Sequence, residues 1–251
     1  MIYICIPAHD EAATVGVLLW KIRKVLGDFG REYRVVVLDD ASSDGTRDVL
    51  ERYASALPLT ILQADEPLGY AGAVSRLLAH VASVAPYPKR DCAVVLQADF
   101  TEHPESIVEL VKVLEGGADI VSGSPERDGP ACPRRVRFVR WAAPRALGPA
   151  YRRAPVADPV TGLRAYRVIV LKKALRDLPD GAPLVRSNGW AANVELLAVL
   201  SPYARRITEV STRIRYDLRA RPSRFRPLRA LMDLMRLRGR ALRWPAGERA
   251  A

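Results

Sequence analysis

The chain has 251 residues, enough for one α/β domain with a large core, and 49% of them are hydrophobic, as in a globular protein. Its three cysteines, Cys5, Cys92 and Cys132, lie far apart, which argues against a disulfide framework and a zinc site and favours a reducing compartment. The formal net charge of +11 is compatible with nucleic acid, an anionic membrane surface or a phosphorylated substrate as partner.

The positive charge is uneven along the chain. Residues 134–153 are rich in arginine and residues 205–243 add many more, whereas the first hundred residues are nearly balanced. No module with interleaved basic and aromatic residues is recognisable, so we expect no nucleic acid partner. Met1 leads directly into an apolar segment without a signal sequence, and no apolar run approaches the ~20 residues of a membrane span. We therefore expect a cytoplasmic protein, soluble or peripheral on the cytoplasmic membrane face.

Predicted strands and helices alternate through the first half of the chain. Strands are predicted at 2–7, 33–40, 59–64, 92–98 and 119–124, and helices at 11–27, 70–84, 104–115 and after the capping segment SSDGT. Continuous apolar strands separated by helices are typical of a mostly parallel sheet with helices on both faces. Ligands of such sheets lie beyond the carboxyl ends of the strands, so the polar residues at those ends form the candidate site.

The second half of the chain is less regular. It contains a turn at 158–166, a helix near 190–200, a strand near 207–216 and a basic amphipathic helix within 226–244. The Arg-rich segment 134–153 is interpreted either as a solvated, mobile stretch or as a loop that closes over phosphates. The segment 226–244 is either packed on the domain or an in-plane membrane helix. We predict one domain at 1–222 and a basic amphipathic tail at 223–251.

Acidic residues follow two of the predicted strands. Asp39 and Asp40 are adjacent carboxylates, which repel each other and need a hydrogen-bond donor or a cation nearby. The fourth predicted strand ends in Gln97, Ala98 and Asp99, so a single carboxylate stands there next to an amide. Carboxylate and amide oxygens are hard ligands that suit Mg²⁺ and Mn²⁺. Asp99 is therefore a candidate metal ligand.

Seven motifs occur in an order that resembles one family. They are IPAHDE (6–11), VVVLDDASSDGT (35–46), GYAGAV (69–74), LQADFTEHPE (96–105), DIVSGS (119–124), DPVTGLRAY (158–166) and WAANVELL (190–197). Together they cover about 5–216 and resemble the family 2 glycosyltransferases of the GT-A fold, in particular the polyprenyl-phosphate sugar synthases such as dolichyl-phosphate mannosyltransferase. The resemblance implies an α/β fold with a Rossmann-like, mostly parallel sheet flanked by helices. This chain adds a C-terminal amphipathic helix.

The resemblance also implies roles for individual residues. Eight positions match motifs that border the nucleotide: Pro7, Ala8, Glu11, Asp39, Asp40, Gly69, Gln97 and Ala98. Asp99 matches the last acid of a D-x-D motif, which binds Mg²⁺ or Mn²⁺ and, through the metal, the diphosphate. Asp158 and Arg164 match the D-P-x-x-G-x-R-x-Y motif, and Glu195 matches an acid on the helix behind the sugar. These last three are the candidate catalytic residues.

The sequence departs from the family pattern at the metal motif and after the fifth strand. Gln97 stands where the first Asp of D-x-D is usual, so it contributes no charge, and Glu102 is placed to restore one. Pro125 stands where an Arg is usual, so Arg127 or the Arg-rich segment would have to serve an acceptor phosphate.

The resemblance implies a metal-dependent, inverting hexosyltransferase. Its expected donor is a GDP- or UDP-linked sugar, and its expected acceptor is a polyprenyl (dolichyl-type) phosphate, with peripheral membrane contact. A phosphate acceptor needs no general base, since its oxygen is already anionic. One alternative is transfer to a hydroxyl of a sugar or small molecule, for which Asp158 or Glu195 is a candidate base. The other alternative is a non-catalytic, glycosyltransferase-like binding domain.

Overall fold

The computed structural model describes residues 1–126, 132–179, 181–218, 225–240, 242 and 244. They form a seven-stranded sheet covered by helices on both faces. The strands are β1 (Ile2–Ala8), β2 (Tyr33–Asp40), β3 (Leu59–Ala64), β4 (Cys92–Val95), β5 (Ile120–Pro125), β6 (Arg164–Arg167) and β7 (Ile207–Thr212). The helices are α1 (Ala12–Phe29), α2 (Thr46–Tyr53), α3 (Gly69–Val84), α4 (Glu105–Glu115), α5 (Arg134–Leu147), α6 (Pro149–Arg152), α7 (Val168–Arg176), α8 (Gly189–Leu200) and α9 (Pro227–Arg238).

The strands lie in the order β3-β2-β1-β4-β6-β5-β7. β6 runs antiparallel to both of its neighbours, whereas the other pairings among these strands are parallel. Arg164, the first residue of β6, pairs with Val95 at the end of β4 and with Ser122 in β5. The reversal therefore brings the residues that precede β6 to the sheet edge where β1, β2 and β4 end.

Two hydrophobic layers sandwich the sheet because neighbouring strand residues point to opposite faces. Ile4 and Val37 face the layer that contains buried residues of α1 and α4. Cys5 and Val36 face the other layer, which contains buried residues of α3, α7 and α8. The mostly parallel α/β architecture predicted from the sequence is therefore confirmed.

The Arg-rich segment corrects one expectation. It is neither a mobile stretch nor a loop, because residues 134–147 form α5 and residues 149–152 form α6. Val139, Ala143 and Leu147 recur at helical spacing and are buried, which accounts for the helix. This apolar stripe was not recognised from the sequence because five arginines are interspersed with it. β4 is also shorter than predicted, since it ends at Val95 and a turn begins beyond it.

The C-terminal helix α9 packs on the domain. Its buried Leu234 and Leu237 share a hydrophobic cluster with Ala143 and Leu147 of α5 and Val194 of α8. The predicted domain limit at residue 222 lies outside the described residues, as do Arg127 and most of the segment 241–251. In the part of the chain that the structure describes, no helix has the length and apolar character needed to cross a membrane.

Candidate active site

The predicted nucleotide residues gather at one edge of the sheet. Ala8 at the end of β1 pairs with Asp39 in β2, and Leu96, just beyond β4, donates its backbone N–H to the carbonyl of Cys5. Because these strands are parallel, their carboxyl ends share the edge to which β6 also brings Gly162. Motifs that are far apart in the sequence are therefore close together in the structure.

Backbone amides satisfy the adjacent carboxylates of Asp39 and Asp40. Asp40 Oδ1 accepts a hydrogen bond of 2.6 Å from the N–H of Leu68, and its Oδ2 accepts one of 2.9 Å from the N–H of Gly69. Asp39 Oδ1 accepts from the N–H of Ser42 at 3.2 Å. Gly69 has a φ of 70°, a left-handed conformation that favours glycine. The hydrogen-bond donors that we expected near these two carboxylates are thus backbone N–H groups at the start of α3 and after β2.

Glu11 ties the start of α1 to the start of α2. Its backbone N–H donates to Thr46 Oγ1 at 2.8 Å, and its carboxylate accepts from the hydroxyl of Thr14 at 2.9 Å. The side chain is buried, as is Ala8, while Pro7 is half-buried. These residues shape the β1 end of the edge, where the resemblance implies that the nucleotide lies.

A tight turn after β4 carries Asp99. Its Oδ1 accepts from the N–H of Thr101 at 3.1 Å and from the hydroxyl of Thr101 at 2.6 Å. Phe100 adopts a left-handed φ of 61°, which turns the chain sharply and brings Glu102 back toward Gln97. Glu102 Oε2 accepts a hydrogen bond of 2.9 Å from the N–H of Gln97. The turn therefore places two carboxylates, Asp99 and Glu102, at the end of β4.

Glu102 is a buried acid with a strongly perturbed pKa. Desolvation is the main cause that raises the pKa of its carboxyl to about 8, and the neighbouring negative charge of Asp99 acts in the same direction. Hydrogen bonds from the backbone of Gln97 and Leu163 and the positive charge of Arg140 act in the opposite direction. Such perturbed acids are concentrated at functional sites.

The turn after β4 offers a divalent cation few protein ligands. Among the residues that the structure describes, no group of three or more His, Cys, Asp or Glu side chains is arranged to hold a metal ion. Mg²⁺ bound with a nucleotide usually takes one or two protein carboxylates and completes its shell with phosphate oxygens and water. Asp99, with Glu102 nearby, fits a cation of this kind, held largely by a substrate diphosphate.

A cavity of about 230 Å³ lies beside this turn, and we call it the central cavity. Elements from both halves of the chain form its wall: the start of α3, the β4 turn, α5, the segment before β6, and α8. Its main polar and aromatic side chains are Tyr70, Gln97, Glu102, Arg140, Trp190 and Asn193. Gln97 and Glu102 belong to the turn after β4, Arg140 belongs to α5 and Trp190 belongs to α8. The cavity therefore connects the candidate metal turn with α5 and α8.

Gly162 lies in the cavity wall where side chains of three other elements come close to its Cα. A Cβ at this position would lie 2.9 Å from Tyr70 Oη and 3.4 Å from both Asn193 Nδ2 and Gln97 Nε2. Tyr70 Oη also donates a hydrogen bond of 2.8 Å to Asn193 Oδ1, and Asn193 Nδ2 donates one of 2.9 Å to the carbonyl of Val160. Polar side chains of α3, of the turn after β4 and of α8 therefore converge on a glycine, and a larger residue would displace them.

The three candidate catalytic residues occupy different positions. Asp158 does not line the central cavity itself, but its Oδ2 is 3.7 Å from Nη2 of Arg140, which does. The guanidinium of Arg140 lies 5.9 Å from the ring centre of Trp190, within range of a cation–π interaction. Asp158 therefore belongs to a charged and aromatic group at the cavity.

Arg164 is fully buried behind the cavity. Its guanidinium donates to the hydroxyl of Ser122 at 3.1 Å and to the carbonyls of Asn193 and Pro159 at 2.6 Å each. All three nitrogens are thus used inside the protein, and they connect β5, β6, α8 and the segment before β6. This arrangement supports a positioning role.

Glu195 follows Asn193 by two residues on α8 but does not line the central cavity. Its Oε2 accepts hydrogen bonds from the N–H groups of Arg186 and Ser187, and its Oε1 lies 3.2 Å from Nη1 of Arg240. Glu195 therefore joins the segment before α8 to the end of α9.

Sequence reasoning missed four residues of the cavity wall as site residues: Tyr70, Arg140, Trp190 and Asn193. Asn193 had a visible signal, since it is an amide within the otherwise apolar helix sequence GWAANVELLAVL. Arg140 was one of many arginines in its segment, and only the helical register of α5 separates it from its neighbours.

The chain belongs to the glycosyltransferase family 2, because the family model described as "Glycosyl transferase family 2" matches residues 3–175. Undecaprenyl-phosphate 4-deoxy-4-formamido-L-arabinose transferase of Edwardsiella ictaluri is 27% identical over 179 residues, which are 68% of this chain and 50% of the relative. Dolichol-phosphate mannosyltransferase of Pyrococcus furiosus is 29% identical over 121 residues, 48% of this chain and 32% of the relative. The chain thus spans half or less of the length of these two relatives.

Solved structures confirm the GT-A fold. Glucosyl-3-phosphoglycerate synthase from Mycobacterium tuberculosis, crystallised with Mn²⁺, UDP and glucosyl-3-phosphoglycerate, superposes with a TM-score of 0.62 at 21% identity. The match covers 94% of this chain and 76% of that one. TarS of S. aureus superposes with a TM-score of 0.54 at 16% identity, covering 84% of this chain and 58% of that one.

Proposed function

We propose that this family 2 glycosyltransferase moves a hexose from a nucleotide-diphosphate sugar to a polyprenyl phosphate with inversion, at the cytoplasmic face of a membrane. The observation that carries the proposal is the central cavity, which joins the Asp99–Glu102 turn to Arg140 and Trp190. The curated relatives named above, an undecaprenyl-phosphate and a dolichol-phosphate sugar transferase, support a lipid-phosphate acceptor.

The edge formed by β1, β2 and α3 is the proposed nucleotide site. Most of the predicted nucleotide residues lie there, and Asp39 and Asp40 are already positioned by backbone N–H groups. A preorganised carboxylate costs little further ordering when it accepts a hydrogen bond from a base or ribose. A uridine or guanosine diphosphate along this edge would extend its phosphates toward Asp99.

Asp99 is the proposed protein ligand of Mg²⁺ or Mn²⁺. When bound, the cation neutralises the charge that develops on the departing nucleotide diphosphate. Thr101 fixes the orientation of Asp99 through two hydrogen bonds. The M. tuberculosis structure with Mn²⁺ and UDP supports the use of such a metal in this fold.

The α5 side of the central cavity is the proposed acceptor site. Arg140 offers a guanidinium that can pair with a phosphate, and Asp158 and Trp190 orient it. Glu195 is engaged by two backbone N–H groups and Arg240 and lies outside the cavity wall, so it is not positioned to take a proton there. This arrangement favours an acceptor that needs no base.

One observation favours a second candidate, transfer to a hydroxyl. Glu102 lines the central cavity, and burial raises its pKa to about 8, which is suitable for a general base near neutral pH. The Glu102→Gln variant distinguishes the two functions. Loss of turnover with a hydroxyl acceptor would support this candidate, whereas retained turnover with a polyprenyl phosphate would support the first.

The experiment that tests the proposal has two parts. Thermal unfolding is first measured with UDP-, GDP- and dTDP-sugars, each with and without Mn²⁺ or Mg²⁺, because a ligand that binds the folded state raises Tm. The donor that raises Tm is then incubated with undecaprenyl phosphate, and transfer of labelled sugar to the lipid is measured. A metal-dependent rise in Tm together with lipid labelling is expected. A rise in Tm with no labelling of any acceptor would favour a binding domain.

A further inference from the structure

The outer face of α5 exposes two aromatic side chains. Phe138 is 49% exposed and Trp141 is 61% exposed, and their ring centres are 6.1 Å apart. They alternate with Val136 and Arg140, which point into the central cavity from the opposite face of the same helix. One helix therefore separates an aromatic surface patch from the proposed acceptor site by its own width.

A basic groove borders this patch. It has a volume of about 630 Å³ and is lined by the ends of α5 and α9 and by α6, with three arginines: Arg145, Arg152 and Arg238. The guanidinium of Arg145 lies 4.5 Å from the ring centre of Trp141, so groove and patch are continuous. Within the described part of the chain, none of these three arginines forms an ion pair with a carboxylate. The groove is thus suited to anionic groups.

Helix α9, packed against α5, exposes a second apolar stripe. Leu228 is 72% exposed, Met232 is 46% exposed and Met235 is 53% exposed, at the spacing of one helix face. The opposite face of α9 is anchored by buried Leu234 and Leu237. The exposed stripe is therefore additional to the apolar contacts that the helix needs for folding.

We propose that the outer surface of α5 and α9 docks on an anionic phospholipid bilayer. Phe138 and Trp141 would enter the interface, and the groove of Arg145, Arg152 and Arg238 would take lipid phosphate groups. Charge complementarity favours an anionic bilayer as the partner, because residues 134–153 contain seven arginines and no acidic residue. Exposed aromatics beside arginines are the combination that binds the headgroup region.

Docking on this surface brings the bilayer within one helix width of the central cavity. Arg140 lies in the cavity wall one helix face away from Trp141, and Phe225, three residues before exposed Leu228, also lines the cavity. A lipid-linked phosphate could then reach Arg140 without leaving the membrane surface. In this respect the inference rests on the proposed function, for which it supplies the site of membrane contact.

The test is flotation of the full chain with vesicles that contain neither nucleotide sugar nor polyprenyl phosphate. We expect binding to phosphatidylglycerol/phosphatidylcholine vesicles and much weaker binding to phosphatidylcholine alone. The Phe138→Ala/Trp141→Ala variant is expected to lose about tenfold or more of its partitioning, because two large apolar side chains no longer enter the interface. The Arg152→Gln/Arg238→Gln variant is expected to lose about tenfold or more, since each arginine near an anionic surface contributes about 1 kcal/mol.

Two control variants match these changes elsewhere on the surface. Val17→Ala/Trp20→Ala removes apolar side chains that are 57% and 54% exposed on α1, where Lys24 lies 5.9 Å from the Trp20 ring. Arg23→Gln/Arg76→Gln removes the same charge as the groove variant from exposed positions. Both controls are expected to bind vesicles as the wild type does, and all variants are expected to keep the wild-type Tm.

Three outcomes would overturn the inference. They are no flotation of the wild type with anionic vesicles, wild-type flotation of Phe138→Ala/Trp141→Ala, and equal losses in the surface variants and their controls. The last would assign binding to the net charge of the whole protein. Because no donor or acceptor is present, a failed transfer assay leaves this result unaffected, and failed flotation leaves the transfer assay unaffected.

Discussion

Arg164 Nη1 donates a hydrogen bond of 2.6 Å to the backbone carbonyl of Asn193, and this bond ties the first residue of β6 to the middle of α8. Asn193 in turn contacts Tyr70 and Val160 through its side-chain amide. The guanidinium thus sets the position of α8, and with it the cavity-lining Trp190. Arg164 therefore influences the cavity through α8 and does not line it.

Replacing Arg164 with Met is expected to destabilise the fold. The change leaves the buried oxygens of Ser122, Asn193 and Pro159 without their donor, which costs about 3 kcal/mol or more. For a domain of this size, that cost corresponds to a fall in Tm of roughly 6 °C or more, measurable by thermal unfolding. The exposed Arg23→Met is the control and is expected to leave Tm unchanged. Equal Tm values for the two variants would contradict the positioning role.

Asp99→Asn is expected to abolish metal-dependent transfer while the fold remains intact. The amide keeps the size of the side chain but removes the charge of the proposed ligand, and we expect turnover to fall about 100-fold or more. Turnover with the donor identified by thermal unfolding is the measurement, with EDTA and added Mn²⁺ as comparison. The exposed Asp65→Asn serves as control. Unchanged turnover of Asp99→Asn would refute the metal assignment.

Stability is expected to fall as the pH rises because of Glu102. Its folded pKa of about 8 is above that of an unfolded Glu, so the folded state binds more protons than the unfolded state between these values. The stabilisation is complete below the unfolded pKa and is lost as the pH rises through the folded pKa. The free energy of unfolding falls by about 1.4 kcal/mol for each pH unit that separates the two pKa values. Denaturant unfolding from pH 4 to 9 measures this loss.

The matched variant for this pH dependence is Glu102→Gln, which keeps an oxygen to accept from Gln97 N–H but cannot ionise. Its free energy of unfolding is expected to decline less between pH 5 and 8 than that of the wild type. Parallel curves for the two proteins would show that another group is responsible.

Gly162→Ala is expected to disrupt the central cavity. The added methyl group would lie 2.9 Å from Tyr70 Oη, so the contact between Tyr70 and Asn193 must move. We expect about 100-fold lower turnover, since small displacements of a positioned substrate have large effects on rate. Gly27→Ala is the control, because nothing lies within 4 Å of its Cβ and the change favours helix α1. Wild-type turnover of Gly162→Ala would mean that the cavity is not the reaction site.

Asp40→Ala is expected to weaken both the fold and donor binding. The variant removes the acceptor for the N–H groups of Leu68 and Gly69, and loss of a helix cap costs about 1–2 kcal/mol. Tm measures the first effect, and the rise in Tm on adding the donor measures the second. Asp44→Ala, which removes a carboxylate from the turn before α2, is the comparison. A normal donor-dependent rise in Asp40→Ala would remove this residue from the proposed nucleotide site.

The parts of the fold that the sequence predicted are those with local signals. β2 and β3 were predicted with the bounds that the structure has, because uninterrupted apolar runs are bounded there by turn residues. α5 was missed because its apolar stripe is interrupted by arginines and Pro144. The antiparallel direction of β6 is a property of the whole sheet, and no pattern within its four residues encodes it.

Residues of the candidate site could be predicted from the sequence only where they belong to a recognisable motif. Gln97 and Asp99 follow a recognisable strand, although β4 ends at Val95 and Gln97 lies beyond it rather than within it. The partners of Arg164 lie up to 42 residues away in sequence, so its internal role emerges only from the packed structure. The raised pKa of Glu102 likewise depends on burial that the turn at Phe100 creates.

The family match ends at residue 175, and this limit divides the wall of the central cavity. Tyr70, Gln97 and Glu102 precede it, whereas Trp190 and Phe225 follow it. Under the proposed function, the metal turn and Arg140 would be supplied by the family segment, whereas the aromatic side chains of Trp190 and Phe225 would be supplied by the part of the chain beyond it.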